Sequence, residues 1–258
     1  MSITTLILIG LIFFLIAMLY SSVGFGGGSS YLAILVLFIA SFYTIRSLAL
    51  LCNILVVSGS FYWFYKKGLF DRKQFLPFVI TSIPLAFLGA TFRLEETLFF
   101  IILGGALATS SLFLLWQSTR PSLNTAVEPT QKYPTYINYI LGAAIGFLSG
   151  LVGIGGGIFL APLLHHLRWG TSKKIAALAC FFIGVNSISG ITGLIAAGTL
   201  DLPWKEALVL GVAVLLGGQI GVRFSLNKLS AKNIKLVTAI LVLIVGARIL
   251  WTNGFAAL

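Results

Sequence analysis

The chain has 258 residues, of which 59% are hydrophobic and 9% charged, and its 17 Lys and Arg against 6 Asp and Glu give a net charge of +11. A mean hydropathy of +1.06 is more apolar surface than one water-soluble domain can hide, so the bilayer is the solvent. Lipid offers the backbone no hydrogen-bond partner, which leaves helices or a closed barrel, and near-continuous apolar runs such as 6–20 and 236–250 lack the alternation of barrel strands.

In chain order the apolar runs are 3–20, 29–42, 46–65, 75–92, 97–116, 136–152, 157–168, 173–198, 204–222 and 234–252. Most hold about the 20 residues that cross a hydrocarbon core as a helix. The first has no basic n-region and no cleavage site before a soluble domain, so it is expected to be a retained helix rather than a signal peptide. The runs 29–42 and 157–168 are short, and each follows a glycine cluster, VGFGGG at 23–28 and VGIGGG at 152–157. Residues 117–135, with Pro121, Pro129 and Pro134, read as a linker between a first repeat, 1–116, and a second, 136–258.

The repeats echo each other. The glycine clusters are 129 residues apart, Cys52 and Cys180 are 128 apart, GLFD at 68–71 and GTLD at 198–201 are 130 apart, and LGATF at 88–92 and IGVRF at 220–224 are 132 apart. Fixed-period similarity of this kind marks internal duplication. Charge then chooses the topology, because cytoplasmic loops collect Lys and Arg. If each glycine break is a hairpin, giving five membrane segments per half, one side carries 13 of the 17 Lys and Arg. Arg46, Arg93, Lys205 and Arg248 make up the other side. If each broken pair crosses once, the division is 9 against 8, with no bias. The hairpin arrangement is therefore expected, and an odd number of segments per half makes the halves inverted repeats with both termini outside.

The predicted fold is an all-α polytopic membrane protein of two inverted repeats, each holding a glycine-interrupted hairpin. In such proteins sites lie near the bilayer midplane, where broken helices expose their ends. Glycine breaks bare the first amides of the next helix, and those amides with the helix dipole attract anions. Gly26, Gly27, Gly28, Ser29 and Ser30 in one half, and Gly155, Gly156 and Gly157 in the other, are the leading substrate-binding residues. The same glycines also suit close helix packing. No Gly-Lys-Ser/Thr follows either cluster, so neither is a nucleotide loop.

Polar residues inside apolar runs form the second group, since each needs a partner. Asn53, Ser58 and Ser60 in the third run and Asn186, Ser187, Ser189 and Thr192 in the eighth occupy corresponding regions, with Gln219 and Thr91 weaker. Interhelical hydrogen bonding would account for them equally. Cys52 and Cys180 read as repeat-related thiols inside helices, open either to sulfur chemistry or to inert packing, and no disulfide framework is implied. His165 and His166 have no second ligand set nearby, so neither a metal nor a cofactor is expected.

All six carboxylates fall in loops or at helix ends, which disfavours a cation-coupled pump. Asp71 and Asp201 are expected to cap the helices that follow them, with Pro203 in a first turn. The excess positive charge is assigned to the anionic lipid surface rather than to nucleic acid.

The paired motifs GFGGG at 24–28 and GIGGGIFLAPLL at 153–164, with the later glycine and aspartate echoes, resemble the TauE/SafE family of bacterial sulfite and organosulfonate exporters across essentially the whole chain. One position departs: Pro162 in the second half is matched by Ala33 in the first. The resemblance implies a multi-pass protein of the bacterial inner membrane that exports small sulfur-containing or organic anions. The expectation is therefore a secondary transporter and not an enzyme, with a small anionic substrate and the lipid bilayer as partners. A homodimer is compatible with the sequence. An anion channel and a membrane-embedded sulfur-handling subunit acting through the cysteines are the other readings.

Overall fold

The computed structural model describes residues 2–23, 26–119, 134–224 and 231–252. These form ten helices with no strand among them: α1 (Ile3–Val23), α2 (Gly28–Leu35), α3 (Phe42–Lys66), α4 (Arg72–Thr91), α5 (Glu96–Thr119), α6 (Tyr136–Val152), α7 (Gly157–His166), α8 (Ser172–Ala196), α9 (Trp204–Phe224) and α10 (Ala231–Leu250). Six of them, α1, α3, α4, α5, α8 and α9, are long and apolar enough to cross a membrane. The short runs after the glycine clusters are helices of only 8 and 10 residues, about 12 and 15 Å long at 1.5 Å per residue, too short to cross a hydrocarbon core of about 30 Å. α5 runs on to Thr119, shortening the expected linker from its front. Residues 120–133 and Gly24 with Phe25 lie outside the described residues.

Three of the full-length helices, α3, α4 and α8, start on side-chain caps. Ser41 accepts from the Thr44 amide ahead of α3, Asp71 from Gln74 ahead of α4, and Thr171 from Lys174 ahead of α8. Each satisfies one amide that a helix start leaves free. Asp201 does not follow the expectation. α9 begins only at Trp204, immediately after Pro203, and the Asp201 carboxylate instead accepts from the Thr44 hydroxyl on α3, while its amide donates to Ser47 Oγ at 3.2 Å.

α3 lies against α8 at the centre, and the pair is antiparallel. Asp71, beyond the end of α3, binds Lys174 in the first turn of α8 at 3.0 Å, while Asp201, beyond the end of α8, binds Thr44 in the first turn of α3. Around them α1 packs on α9, α6 on α4, and α5 on α10. Exchanging α1–α5 for α6–α10 maps each of these pairs onto a packed pair. In lipid there is no hydrophobic drive to bring helices together, so close backbone approach carries the packing. Gly142, Gly146 and Gly150 lay one face of α6 directly on the α4 carbonyls of Phe78, Ser82 and Ala86, and Gly217 and Gly221 lay α9 on Phe14 and Met18 of α1.

Two sequence readings are corrected here. Arg46 is not a loop cation: it is the fifth residue of α3 and fully buried. Nor are the cysteines equivalent. The N-caps Ser41 and Thr171, and the left-handed glycines Gly68 and Gly198, place α3 and α8 in a register of 130 residues. Cys52 then matches Phe182, and Cys180 matches Leu50. A two-residue slip turns a helical side chain by about 200°, so the apparent 128-residue pairing links opposite faces.

Candidate functional site

The chain caps α3, α4 and α8 with Ser, Asp and Thr, but α2 and α7 begin differently. Their N-caps, Gly27 at φ 87° and Gly156 at φ 82°, are both left-handed and neither start receives a side-chain cap. Only glycine takes that backbone at no steric cost. The first amides of both half-helices are thereby left for another acceptor. Both starts are buried.

The two breaks belong to different halves, yet they meet. The Asn53 amide on α3 donates from Nδ2 to Ile154 O at 3.1 Å. A Cβ on Gly28 would overlap both that carbonyl and the Asn53 amide, and a Cβ on Gly155 would sit 2.8 Å from Asn53 Nδ2 and 3.2 Å from Ser187 Oγ. On the other side of the meeting point, a Cβ on Gly26 would touch Ile183 and Val57 at 3.1–3.2 Å, and Gly157 also packs on Ile183. The 130-residue register explains the pattern: Ile183 is the counterpart of Asn53, and Ser187 that of Val57. Both breaks meet both residues of the first pair, Asn53 through Gly28 and Gly155 and Ile183 through Gly26, Gly155 and Gly157, while Ser187 adds a hydroxyl beside Gly155 where Val57 stands beside Gly26.

Asn53 Oδ1, Ser187 Oγ and Tyr31 Oη beside it have no hydrogen-bond partner, and on α8 neither does either amide atom of Asn186. Groups of this kind are costly in a dry interior. Tyr31 is fully buried, and its hydroxyl reaches back to Gly27, where an added Cβ would lie 2.9 Å away. Ser30 is engaged otherwise, sharing a 2.6 Å hydrogen bond with the Tyr20 hydroxyl, and Ser29 is buried in the first turn of α2. Ser58 points its hydroxyl back to Leu55 O, Ser189 donates to Ile83 O on α4, and Thr192 donates to Ser189 O.

The structure thus brings together Gly26, Gly27, Gly28, Asn53, Gly155, Gly156 and Gly157, and adds Ile183, Ser187 and Tyr31. It does not bring the cysteines together: Cys52 lies near Tyr31, whereas Cys180 neighbours Ser60. Both cysteines are buried and neither is in a disulfide. Among the described residues no group of three or more His, Cys, Asp or Glu gathers to hold a metal ion.

The residue that sequence reasoning missed is Arg46. Its Nη2 donates to Gly150 O at 3.0 Å and Ala90 O at 3.3 Å, near the ends of α6 and α4. Its guanidinium also stands 5.9 Å from the centre of the Phe99 ring. A Cβ on Gly153 would lie 3.3–3.4 Å from the Arg46 Cα, Cβ and Cγ, which puts the side chain at the entry to the second glycine break. The available signal was its place at the first position of the apolar run 46–65.

Comparison with known proteins agrees in kind. The family described as sulfite exporter TauE/SafE matches residues 9–249. The "Probable membrane transporter protein y4hK" of Sinorhizobium fredii is 32% identical over 93% of this chain and 96% of its own. The "Probable membrane transporter protein YunE" of Bacillus subtilis is 26% identical over 72% of each. No solved structure matches the chain.

Proposed function

Given that the chain belongs to the sulfite exporter TauE/SafE family and is a multi-pass membrane transporter, we propose that it is a secondary carrier of small sulfur-containing or organic anions such as sulfite and sulfonates, working in the export direction. The observation that carries this reading is the convergence of two uncapped half-helix starts from opposite halves on Asn53 and Ser187. Helix amides offer hydrogen bonds and partial positive charge to an anion without exposing it to a titrating base. The Ser187 hydroxyl and the remaining N–H of Asn53 complete a donor set that stands in for water.

The halves are proposed to be inverted repeats of five membrane segments. The antiparallel course of α3 and α8, and the survival of the helix pairing when the halves are exchanged, support that arrangement. In it a central site is opened first to one face and then to the other by rocking one half against its partner. The inside assignment of the basic loops and the outside assignment of the termini follow from the same charge count.

The test is counterflow in proteoliposomes with sulfite, thiosulfate, sulfoacetate and taurine. At least one should exchange with saturable kinetics, and Asn53→Leu combined with Ser187→Ala should reduce that exchange at least tenfold. Conductance far above carrier turnover in planar bilayers would favour a channel instead. Movement of none of the four would remove the sulfur-anion cargo.

A further inference from the structure

The glycine-break site contains no formal charge. Asn53, Ser187 and Tyr31 are neutral, and helix starts supply only partial charge. An anion that gives up water for such a place gains most from a cation within reach. Arg46 is the one fully buried charged side chain among the described residues. The two carbonyls it holds take Nη2 and leave Nε and Nη1 without an acceptor, and no described carboxylate pairs with it. A guanidinium used only to cap two helix ends would not need to be buried with most of its donors unused. Arg93 does that job at the surface, donating to Ala197 O at the end of α8 at 2.6 Å.

Position adds the second line of argument. Arg46 precedes Asn53 by seven residues on α3, which is two turns, so the two share one face about 10 Å apart. The non-helical segment 153–156 runs beside that face, with Gly153 on Arg46 and Ile154 and Gly155 on Asn53. The counterpart of Arg46 in the 130-residue register is Ala176 on α8. The cation therefore serves one face of the membrane only.

We propose that Arg46 is an anion-binding residue: a charged subsite, between the face where α3 begins and the glycine breaks, that takes the ionised group of the transported oxyanion through its free Nε–H and Nη1–H groups. The proposal rests on the anion-carrier reading and adds a requirement to it, that the cargo carry formal negative charge. An uncharged compound of similar shape is not held.

The experiment uses the full chain, in detergent for thermal unfolding and in proteoliposomes for uptake. The probes are sodium sulfite and, as the uncharged analogue, dimethyl sulfone, with ionic strength fixed by sodium gluconate. Sulfite should raise the unfolding temperature of the parent protein by several degrees, and dimethyl sulfone should not. Arg46→Lys should raise the uptake KM for sulfite about tenfold. Arg46→Gln should abolish the thermal shift and lower uptake at least tenfold, while Arg93→Gln keeps both. A folded Arg46→Gln protein with parental KM and thermal shift would overturn the proposal and leave the glycine-break site standing. If Arg46→Gln does not fold, Arg46→Lys decides, and an unchanged KM there overturns it as well. A parent protein that neither binds nor moves sulfite, thiosulfate or sulfoacetate would show the anion reading itself to be wrong, and the subsite would fall with it.

Discussion

At the scale of single residues, the two cysteines show how spacing in a sequence differs from register in space. Their 128-residue separation suggested an equivalent pair, but the caps and closing glycines of α3 and α8 are 130 apart, so Cys52 and Cys180 project from different faces of related helices. Each is fully buried in its own surroundings, and a thiol in a packed apolar site behaves as a small hydrophobe. Converting both to alanine should therefore leave uptake within twofold of the parent. The cost should appear in stability, about 1 kcal/mol for each, the scale of deleting one small group from a packed interior. Paired uptake and thermal-unfolding measurements check this. Loss of uptake with retained stability would instead give the thiols a chemical role. Asn53 carries the opposite lesson. It was legible as a polar residue in an apolar run, yet its partner, the carbonyl of Ile154, comes from a segment 101 positions away, and no local pattern announces such a contact.

At the scale of helices, the elements were largely readable because membrane helices are long apolar runs, and all ten runs became helices. What holds them to one another was not. Gly142, Gly146 and Gly150 recur every four residues on one face of α6, where a Cβ would meet the α4 backbone. The same spacing in an isolated apolar run has no visible partner, because the partner α4 lies far back in the chain. Gly146→Val should break this seam. Its added carbons would enter Ser82, whose backbone cannot swing aside, and overpacking of even a few methylene groups costs about 1–3 kcal/mol or more. Gly105→Val on α5 is the matched control, since nothing lies within 4 Å of a Cβ there. Expression and monodispersity in detergent should collapse for Gly146→Val and persist for Gly105→Val. Equal behaviour would mean that the α4–α6 contact is looser than its geometry states. Arg46 was misread for a related reason: a single cation near the start of an apolar run looks like an interfacial residue until α4 and α6 close over it.

At the scale of the whole molecule, the halves are tied by two contacts at opposite ends of the α3–α8 pair. Asp71 with Lys174 closes one end and Asp201 with Thr44 the other. Lys174 and Thr44 are themselves 130 residues apart, so one arrangement has been built twice, as an ion pair and as a hydroxyl-to-carboxylate hydrogen bond. Carriers that alternate access need ties weak enough to break in every cycle. The Asp71–Lys174 pair qualifies, because its side chains remain 35% and 22% exposed and such pairs contribute about 0–1 kcal/mol. Burial pushes the Asp71 carboxyl up, but the Lys174 hydrogen bond and charge, with the amides of Gln74 and Lys73, outweigh it and hold the group below its ordinary value of 3.8. A carboxylate lowered on folding stabilises the fold at every pH above its unfolded value, and that stabilisation is lost as pH falls through the lowered folded one. The tie is thus intact across the physiological range and yields only in strong acid. Asp71→Asn should remove it at any pH at little cost in stability, under about 1 kcal/mol. Its effect should be on access. A cysteine placed at Val57, beside Gly26, in a background free of Cys52 and Cys180 should then react several-fold faster with an impermeant thiol reagent applied from the Asp71 face. Thr44→Val should speed the same reaction from the opposite face and leave the Asp71 face unchanged. If either substitution accelerated labelling from both faces alike, the contacts would be general fastenings of the bundle, and the two ends of α3 and α8 would not open in turn.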